Sequence, residues 1–175
     1  VDCPAGSICD GNGGGEGNDV KTCAEITGGT HTESEANMSD SGYCYRTCDM
    51  ADNATEMSGR DYYTATDTCE IVTCGAGYML EDGKCVDCPA GSVCDGTGGG
   101  EGGDVDTCAT LTGGTHTMSD NNISSVDYCY RTCDMADNAT EMSGRDFYND
   151  RSDTCEIETC GAGYMLEDGK CVDCP

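Results

Sequence analysis

Cysteine is the residue type with the clearest chemistry in this sequence of 175 residues, which contains 17 of them. Cysteine at this density in a short chain is typical of a disulfide scaffold. Two sets of eight occupy matching positions and one more follows: Cys3, Cys9, Cys23, Cys44, Cys48, Cys69, Cys74, Cys85, Cys88, Cys94, Cys108, Cys129, Cys133, Cys155, Cys160, Cys171 and Cys174. All are predicted to form disulfide bonds. Each set can close four bonds, and the odd Cys174 predicts a partner in another repeat or another molecule.

Two Cys-x-x-Cys pairs, Cys85 with Cys88 and Cys171 with Cys174, raise the question of zinc or redox chemistry. A zinc site needs two such pairs at closer spacing, and a thioredoxin-like site needs a strand followed by a helix. Neither context is present, so structural disulfides are predicted. Because these pairs straddle repeat boundaries, we expect their bonds to fix the angle between successive repeats. The remaining connectivity stays open, since eight cysteines can pair in many ways.

The cysteines follow an internal repeat of about 85 residues. The segment "CYRTCDMADNATEMSGRD" occurs twice without change, and so does "CGAGYMLEDGKCVDCP". We predict one cysteine-rich repeat at residues 1–85, a second at 86–171, and the start of a third at 172–175. The chain is expected to be a mature or excised segment of a longer tandem array, since it opens with Val and carries no signal peptide.

Large apolar side chains are scarce, because the sequence contains no Trp and a single Phe, Phe147. Burial of so few side chains struggles to offset the conformational entropy that the chain loses on folding. Disulfides can supply the shortfall, at roughly 2–4 kcal/mol each. They persist only in an oxidising compartment, so the protein is predicted to be extracellular or exposed on a cell surface.

Acidic residues outnumber basic ones by 34 to 8, which gives a net charge of -26. Such a surface repels nucleic acids and anionic membranes, so we expect neither as a partner. Such a surface attracts cations. The simpler explanation of the charge is that it keeps a chain with a small apolar core soluble. No apolar run is long enough to span a bilayer.

Glycine-rich stretches open both repeats, "CDGNGGGEGNDV" and "CDGTGGGEGGDV", and exclude regular helix or strand there. Short strand candidates follow in "GYCYRT", "RDYYT", "CEIVT" and "GYML". The Asp-Gly dipeptide of "LEDGKC" predicts a hairpin turn. The fold is therefore predicted to be small and disulfide-rich, mostly loops and short β-hairpins, with the repeats stacked into an elongated array.

The segment "CGAGYMLEDGKC" resembles the C-terminal loop of EGF-like and growth-factor-receptor-like modules, and "CVDCPAGSVC" resembles the Cys-x-x-Cys-Pro-x-Gly junctions of such proteins. The resemblance covers about 20 residues of each repeat. It implies disulfide bonds from Cys74 to Cys85 and from Cys160 to Cys171. It implies no calcium site, because "VDCP" stands where the Asp-x-Asp-Glu pattern of calcium-binding modules would begin.

Four Asn-x-Ser/Thr sequons mark candidate sites of N-linked glycosylation, at Asn37, Asn53, Asn122 and Asn138. The pair Asn53 and Asn138 lies in an unchanged block. The pair Asn37 and Asn122 lies where the copies differ, and the sequon persists there. We therefore expect glycans that shield a thin chain from proteases.

The acidic glycine-rich stretches are candidate calcium sites, because oxygen ligands on flexible backbone suit this ion. The candidate ligands are Asp10, Glu16, Asp19, Asp95, Glu101 and Asp104. Their spacing departs from the EF-hand pattern, and Thr97 replaces Asn12 in the second copy. A solvated connecting loop is the alternative.

The two histidines, His31 and His116, both lie in "GGTHT" and are expected to serve a turn or the surface. The sequence offers no nucleophile motif around which a catalytic set could form, so no enzyme and no organic cofactor is predicted.

Near-identical repeats suit a structure in which every junction has the same geometry, because equal steps at each contact generate an open fibre. The chain is therefore predicted to be a structural repeat unit of an extracellular filament, fibre or stalk, with itself as partner. The alternative is a cell-surface adhesion or binding ectodomain, calcium-tuned, whose contact loops are residues 33–43 and 118–128.

Overall fold

The computed structural model describes residues 2–12, 20–103, 105–149 and 153–175. The chain divides into two compact units, Val1–Thr73 and Cys74–Pro175. The boundary between the units therefore lies ahead of the boundary between the sequence repeats, which follows Cys85. The intervening segment ends the first repeat in sequence and belongs to the second unit in structure.

The first unit consists of short strands and single turns of helix. Its elements are β1 (Ser7–Cys9), β2 (Val20–Thr22), α1 (Cys23–Thr27), a 3-10 turn (Ser41–Tyr43), β3 (Tyr45–Arg46), β4 (Ala54–Ser58), β5 (Asp61–Tyr62) and β6 (Glu70–Cys74). Strand β1 pairs antiparallel with β2, β3 pairs antiparallel with β5, and β4 pairs with β6. Helix α1 begins at a capping box, in which the Thr22 hydroxyl accepts from the Glu25 N–H and the Glu25 carboxylate accepts from the Thr22 N–H.

The second unit repeats this order and adds a hairpin at each end. Its elements are β7 (Tyr78–Glu81), β8 (Lys84–Asp87), β9 (Ser92–Cys94), β10 (Val105–Thr107), α2 (Cys108–Leu111), a 3-10 turn (Val126–Tyr128), β11 (Tyr130–Arg131), β12 (Ala139–Ser143), β13 (Asp146–Phe147), β14 (Glu156–Cys160), β15 (Tyr164–Glu167) and β16 (Lys170–Asp173). The antiparallel pairs are β7–β8, β9–β10, β11–β13, β12–β14 and β15–β16. The fold is therefore a disulfide-rich set of short hairpins, as the sequence predicts.

Sulfur forms most of the core. The largest fully buried side chains among the described residues are all cysteines: Cys23, Cys44, Cys74, Cys88, Cys94, Cys108 and Cys129. In the first unit Ile8 packs with two of them, and in the second unit Val93 and Ile123 do so. No helix of the described residues has the length and apolar content needed to cross a membrane.

Eight disulfide bonds link sixteen of the cysteines. They are Cys3–Cys9, Cys23–Cys44, Cys48–Cys69, Cys74–Cys85, Cys88–Cys94, Cys108–Cys129, Cys133–Cys155 and Cys160–Cys171. Two of them, Cys74–Cys85 and Cys160–Cys171, match the pairing that the EGF-like resemblance implies. Within the Cys-x-x-Cys pair at the boundary, Cys85 bonds backwards and Cys88 bonds forwards. None of the eight bonds crosses between the repeats, and Cys174 is a free, exposed thiol.

We expect the buried disulfides to carry more of the stability than the exposed ones. Replacement of both Cys108 and Cys129 by Ala removes a cross-link and two fully buried sulfur atoms, so the free energy of unfolding should fall by about 3–5 kcal/mol. The matched control replaces Cys133 and Cys155, which are 22 residues apart against 21 for Cys108 and Cys129 but are not buried, and should cost about 2–3 kcal/mol. Chemical denaturation of the two double variants measures the difference, and equal losses would contradict a core built on sulfur.

Candidate assembly site at the repeat junction

The junction between the sequence repeats is formed by the hairpin β7–β8, which we call the covered hairpin (residues 74–88). Its strands pair Tyr78 with Asp87 and Leu80 with Cys85. The predicted Asp-Gly turn is present, with positive φ of 49° at Asp82 and 71° at Gly83, which suits the right-handed twist of a tight hairpin. The Cys74–Cys85 bond links the last residue of β6 to strand β8, close to the turn.

The covered hairpin packs on the start of the second repeat, which we call the opening segment (residues 88–97, and residues 3–12 in the first repeat). The Gly77 N–H donates to the carbonyl of Cys94 at 2.8 Å. A Cβ atom at Gly77 would lie 2.8 Å from the Asn122 carbonyl oxygen, and one at Gly96 would lie 2.6 Å from the Ala76 nitrogen. Both glycines also have positive φ. Backbone therefore meets backbone here, and only glycine allows the approach.

Hydrogen bonds from the glycine-rich stretch complete the junction. The Gly102 N–H donates to the Leu80 carbonyl at 3.1 Å. The Glu101 carboxylate accepts from the N–H groups of Asp82 and Gly83 at 3.3 Å each. The acidic residue thus caps the hairpin turn through an exposed contact.

The candidate calcium ligands are only partly described. Glu16, Asp19 and Asp104 lie outside the described residues. Asp95 accepts from the hydroxyl and the N–H of Thr97, and these two hydrogen bonds lower the pKa of its carboxyl group. Asp10 accepts from the Asn12 N–H in the same way. Within the described part of the chain no three His, Cys, Asp or Glu side chains converge on one point as metal ligands would, and calcium binding stays a prediction.

The opening segments of the two repeats differ in the acceptor of one backbone hydrogen bond. At the junction the Cys88 N–H donates to the Gly77 carbonyl at 2.9 Å. In the first repeat the Cys3 N–H donates instead to the side-chain oxygen of Asn37, at 3.0 Å. The side chain of Asn37 thus satisfies a donor that a hairpin carbonyl satisfies at the junction.

A second hairpin with the same sequence, β15–β16, lies open to solvent. We call it the exposed hairpin (residues 160–175). Leu80 of the covered hairpin is 8% exposed, whereas its counterpart Leu166 is 50% exposed. A Cβ atom at Gly163, the counterpart of Gly77, would have nothing within 4 Å. The leucine and the glycine are therefore buried in the covered hairpin and exposed to solvent in the exposed hairpin.

The candidate glycosylation sites share a backbone conformation that the sequence does not reveal. Asn37, Asn53, Asn122 and Asn138 all have positive φ, between 59° and 62°. Asparagine adopts this left-handed region more readily than most residues. The persistence of Asn37 and Asn122 between differing segments thus has a conformational reason. All four residues are exposed, and their glycosylation stays a prediction.

Each of the two histidines connects its "GGTHT" turn to a short strand of the same repeat. The His31 ring lies 3.5 Å from the Asp61 carboxylate and packs edge-on against Tyr63. Burial raises the pKa of Asp61, but hydrogen bonds from Arg46 and His31 outweigh it, and the net pKa is lowered. His116 and Asp146 repeat the arrangement at 3.6 Å. The histidines thus hold the "GGTHT" turn against β5 and β13.

Arg60 and Arg145 were not predicted from the sequence as functional residues. Each binds an acidic side chain in one of the two loops that differ between the repeats. Arg60 lies over the ring of Tyr45, 4.1 Å from its centroid, and binds Glu35. Arg145 covers Tyr130 in the same way and binds Asp120. An acidic residue at the same place in two otherwise different segments, residues 33–43 and 118–128, was the available signal.

The junction contacts predict a difference between two glycines of nearly equal φ. Gly163→Ala places a side chain at φ 93° in open space and should cost about 1–2 kcal/mol of unfolding free energy. Gly77→Ala at φ 88° adds a clash with Asn122 and should cost a further 1–3 kcal/mol, roughly the penalty of overpacking. Chemical denaturation measures both variants. Equal costs would mean that the covered hairpin does not pack on the opening segment.

Comparison with known protein families, with curated protein sequences and with solved structures finds no match for this chain.

Proposed function

We propose that this protein is a structural repeat unit of an extracellular filament, fibre or stalk. The observation that carries the proposal is the junction inside the second unit, where a hairpin ending one repeat packs on the opening segment of the next. Its key contacts are backbone hydrogen bonds and glycine contacts, made by residues that recur in sequence with each repeat. Repetition of such a contact, from the end of one repeat to the start of the next, would build an open fibre if its rotation does not close a ring.

The disulfides suit this role mechanically. The bonded cysteines are separated by between 6 and 22 residues, so each bond closes a local loop. Local loops limit how far a repeat extends under tension, while their closure restricts the unfolded chain. An oxidising, extracellular location would keep these bonds formed.

N-linked glycans belong to the same proposal. The four sequon asparagines are exposed on turns, where a transferase can reach them. Sugars at these turns would protect a chain with little apolar core from proteolysis. The acidic loops would bind calcium in addition, but the proposed structural role does not require calcium.

The alternative is an adhesion or binding ectodomain that uses residues 33–43 and 118–128. The difference between the two copies in these loops favours it. However, Glu35 and Asp120 in the loops already bind Arg60 and Arg145, which leaves fewer free groups for a ligand.

We expect an antibody raised against this chain to label regular filaments on the native source material in immuno-electron microscopy. The label should recur along each filament at a constant spacing, because every repeat presents the same epitope. Omission of the antibody and pre-absorption with the purified chain serve as controls. Label found only on single molecules, together with saturable binding of a ligand by the purified chain, would favour the adhesion alternative and overturn the filament proposal.

A further inference from the structure

We propose that a groove in the second repeat binds a lysine side chain of a basic partner protein. We call it the second groove, and the described residues that line it are Val93, Asp95, Asp106, Leu111, Ser124 and Val126. The inference goes beyond the proposed function and does not depend on it, because it assigns a binding site and not a role in assembly.

The same groove occurs in the first repeat, where we call it the first groove. It is lined by Ile8, Asp10, Lys21, Ile26, Ser39 and Ser41, each at the repeat position of one residue of the second groove. The volumes are about 190 Å³ for the first groove and 240 Å³ for the second. Sites for drug-sized ligands measure about 300–1,000 Å³. The second groove therefore has the size for a single side chain.

The second groove is apolar at its base. Val93 is 5% exposed and belongs to the buried cluster of the second unit, and Val126 packs against that cluster. Leu111, the last residue of α2, also lines the groove and is 39% exposed. The methylene groups of a bound side chain would remove this apolar surface from water, which favours binding.

Two carboxylates border this apolar surface. Asp106 lies directly opposite Val93 in the β9–β10 pair, and such opposite residues share one face of the pair. Hydrogen bonds from the Thr97 hydroxyl and N–H lower the pKa of Asp95, so this carboxyl group is ionised at neutral pH. Among the described residues that line the second groove none is basic. The groove therefore attracts a cation.

The first groove differs because it contains a cation of its own. Lys21 occupies the position of Asp106 and lies opposite Ile8 in the β1–β2 pair. The hydrogen bond from the Asn12 N–H is the main cause of the lowered pKa of Asp10, and the positive charge of Lys21 adds to it. One residue thus reverses the charge at the same place in the two repeats. The first groove should repel a lysine that the second one binds.

Lysine is the side chain that fits this combination of an apolar base and an acidic border. Its four-carbon stem covers apolar surface while its compact ammonium group stays at the polar edge. The net charge of -26 would also draw a basic protein toward this chain. A second copy of the chain carries the same negative charge and is repelled. The favoured occupant is therefore a different, basic protein.

The test titrates the ¹⁵N-labelled chain with the probe peptide acetyl-Ala-Lys-Ala-amide at about 150 mM salt and follows the amide signals by NMR. We expect saturable shifts at Val93, Asp106 and Leu111, with a Kd on the order of 1 mM, as suits a contact of one side chain. The matching residues of the first groove are the internal control and should shift little. A peptide with norleucine in place of lysine keeps an apolar stem without the charge and should bind at least tenfold more weakly.

An exchange of residues between the repeats supplies matched variants. Asp106→Lys gives the second groove the residue that the first already accommodates in the same strand register, and it should raise the Kd at least tenfold. Asp137→Lys makes the same change of net charge at an exposed site outside the groove. It should change the Kd less than twofold, because salt screens distant charges beyond about 8 Å. Lys21→Asp should produce saturable shifts at Ile8.

Four outcomes would overturn the inference. They are shifts spread evenly over the acidic surface, equal effects of Asp106→Lys and Asp137→Lys, equal binding of the norleucine peptide, and coverage of the second groove by a second copy. Coverage by a second copy would appear as concentration-dependent shifts at Val93 and Leu111 without any probe. If Asp106→Lys fails to fold, Asp106→Asn takes its place, with Asp137→Asn as its control, and should raise the Kd at least threefold.

Discussion

The disulfide bond is the interaction on which the rest of this structure depends. Strands of two to five residues, paired two at a time, are too short to be stable alone in water. Buried cysteines take the place that large apolar residues occupy in ordinary domains, since the fully buried side chains of the described residues are sulfur-bearing. The cross-links hold the hairpins in place, and the few apolar residues, such as Ile8 and Val93, pack around them.

The second constraint is the close approach of backbone to backbone at the junction. Gly77 and Gly96 meet the neighbouring chain segment where a side chain would clash, and hydrogen bonds between main-chain groups replace side-chain packing. Such an interface depends little on side-chain chemistry. It depends instead on glycine at fixed positions, so the glycines of "GAG" and "DGTG" matter more for the junction than the abundant charged residues around them.

Much of the fold could be predicted from the sequence because its signals are local. Cysteine density indicated the disulfide scaffold and the Asp-Gly dipeptide indicated the turn, whereas the bond from Cys74 to Cys85 was implied only by the resemblance of one short segment to EGF-like modules. The pairing of Cys23 with Cys44 could not be derived, since it depends on how distant segments fold together. The boundary of the compact units could not be derived either. It lies at Cys74 because the covered hairpin packs forwards on the second repeat, and repetition in sequence carries no information about that direction.

The locality of the disulfide bonds has a consequence for how such a protein can lengthen over evolutionary time. The stretch from Cys88 to Cys171 contains eight cysteines that pair only among themselves. Gene duplication of this stretch adds a self-contained set and leaves no older cysteine without its mate. Each new copy can form its own four bonds without waiting for the next copy to be synthesised. Growth by tandem duplication is thus free of the mispairing that interlocked connectivities would bring.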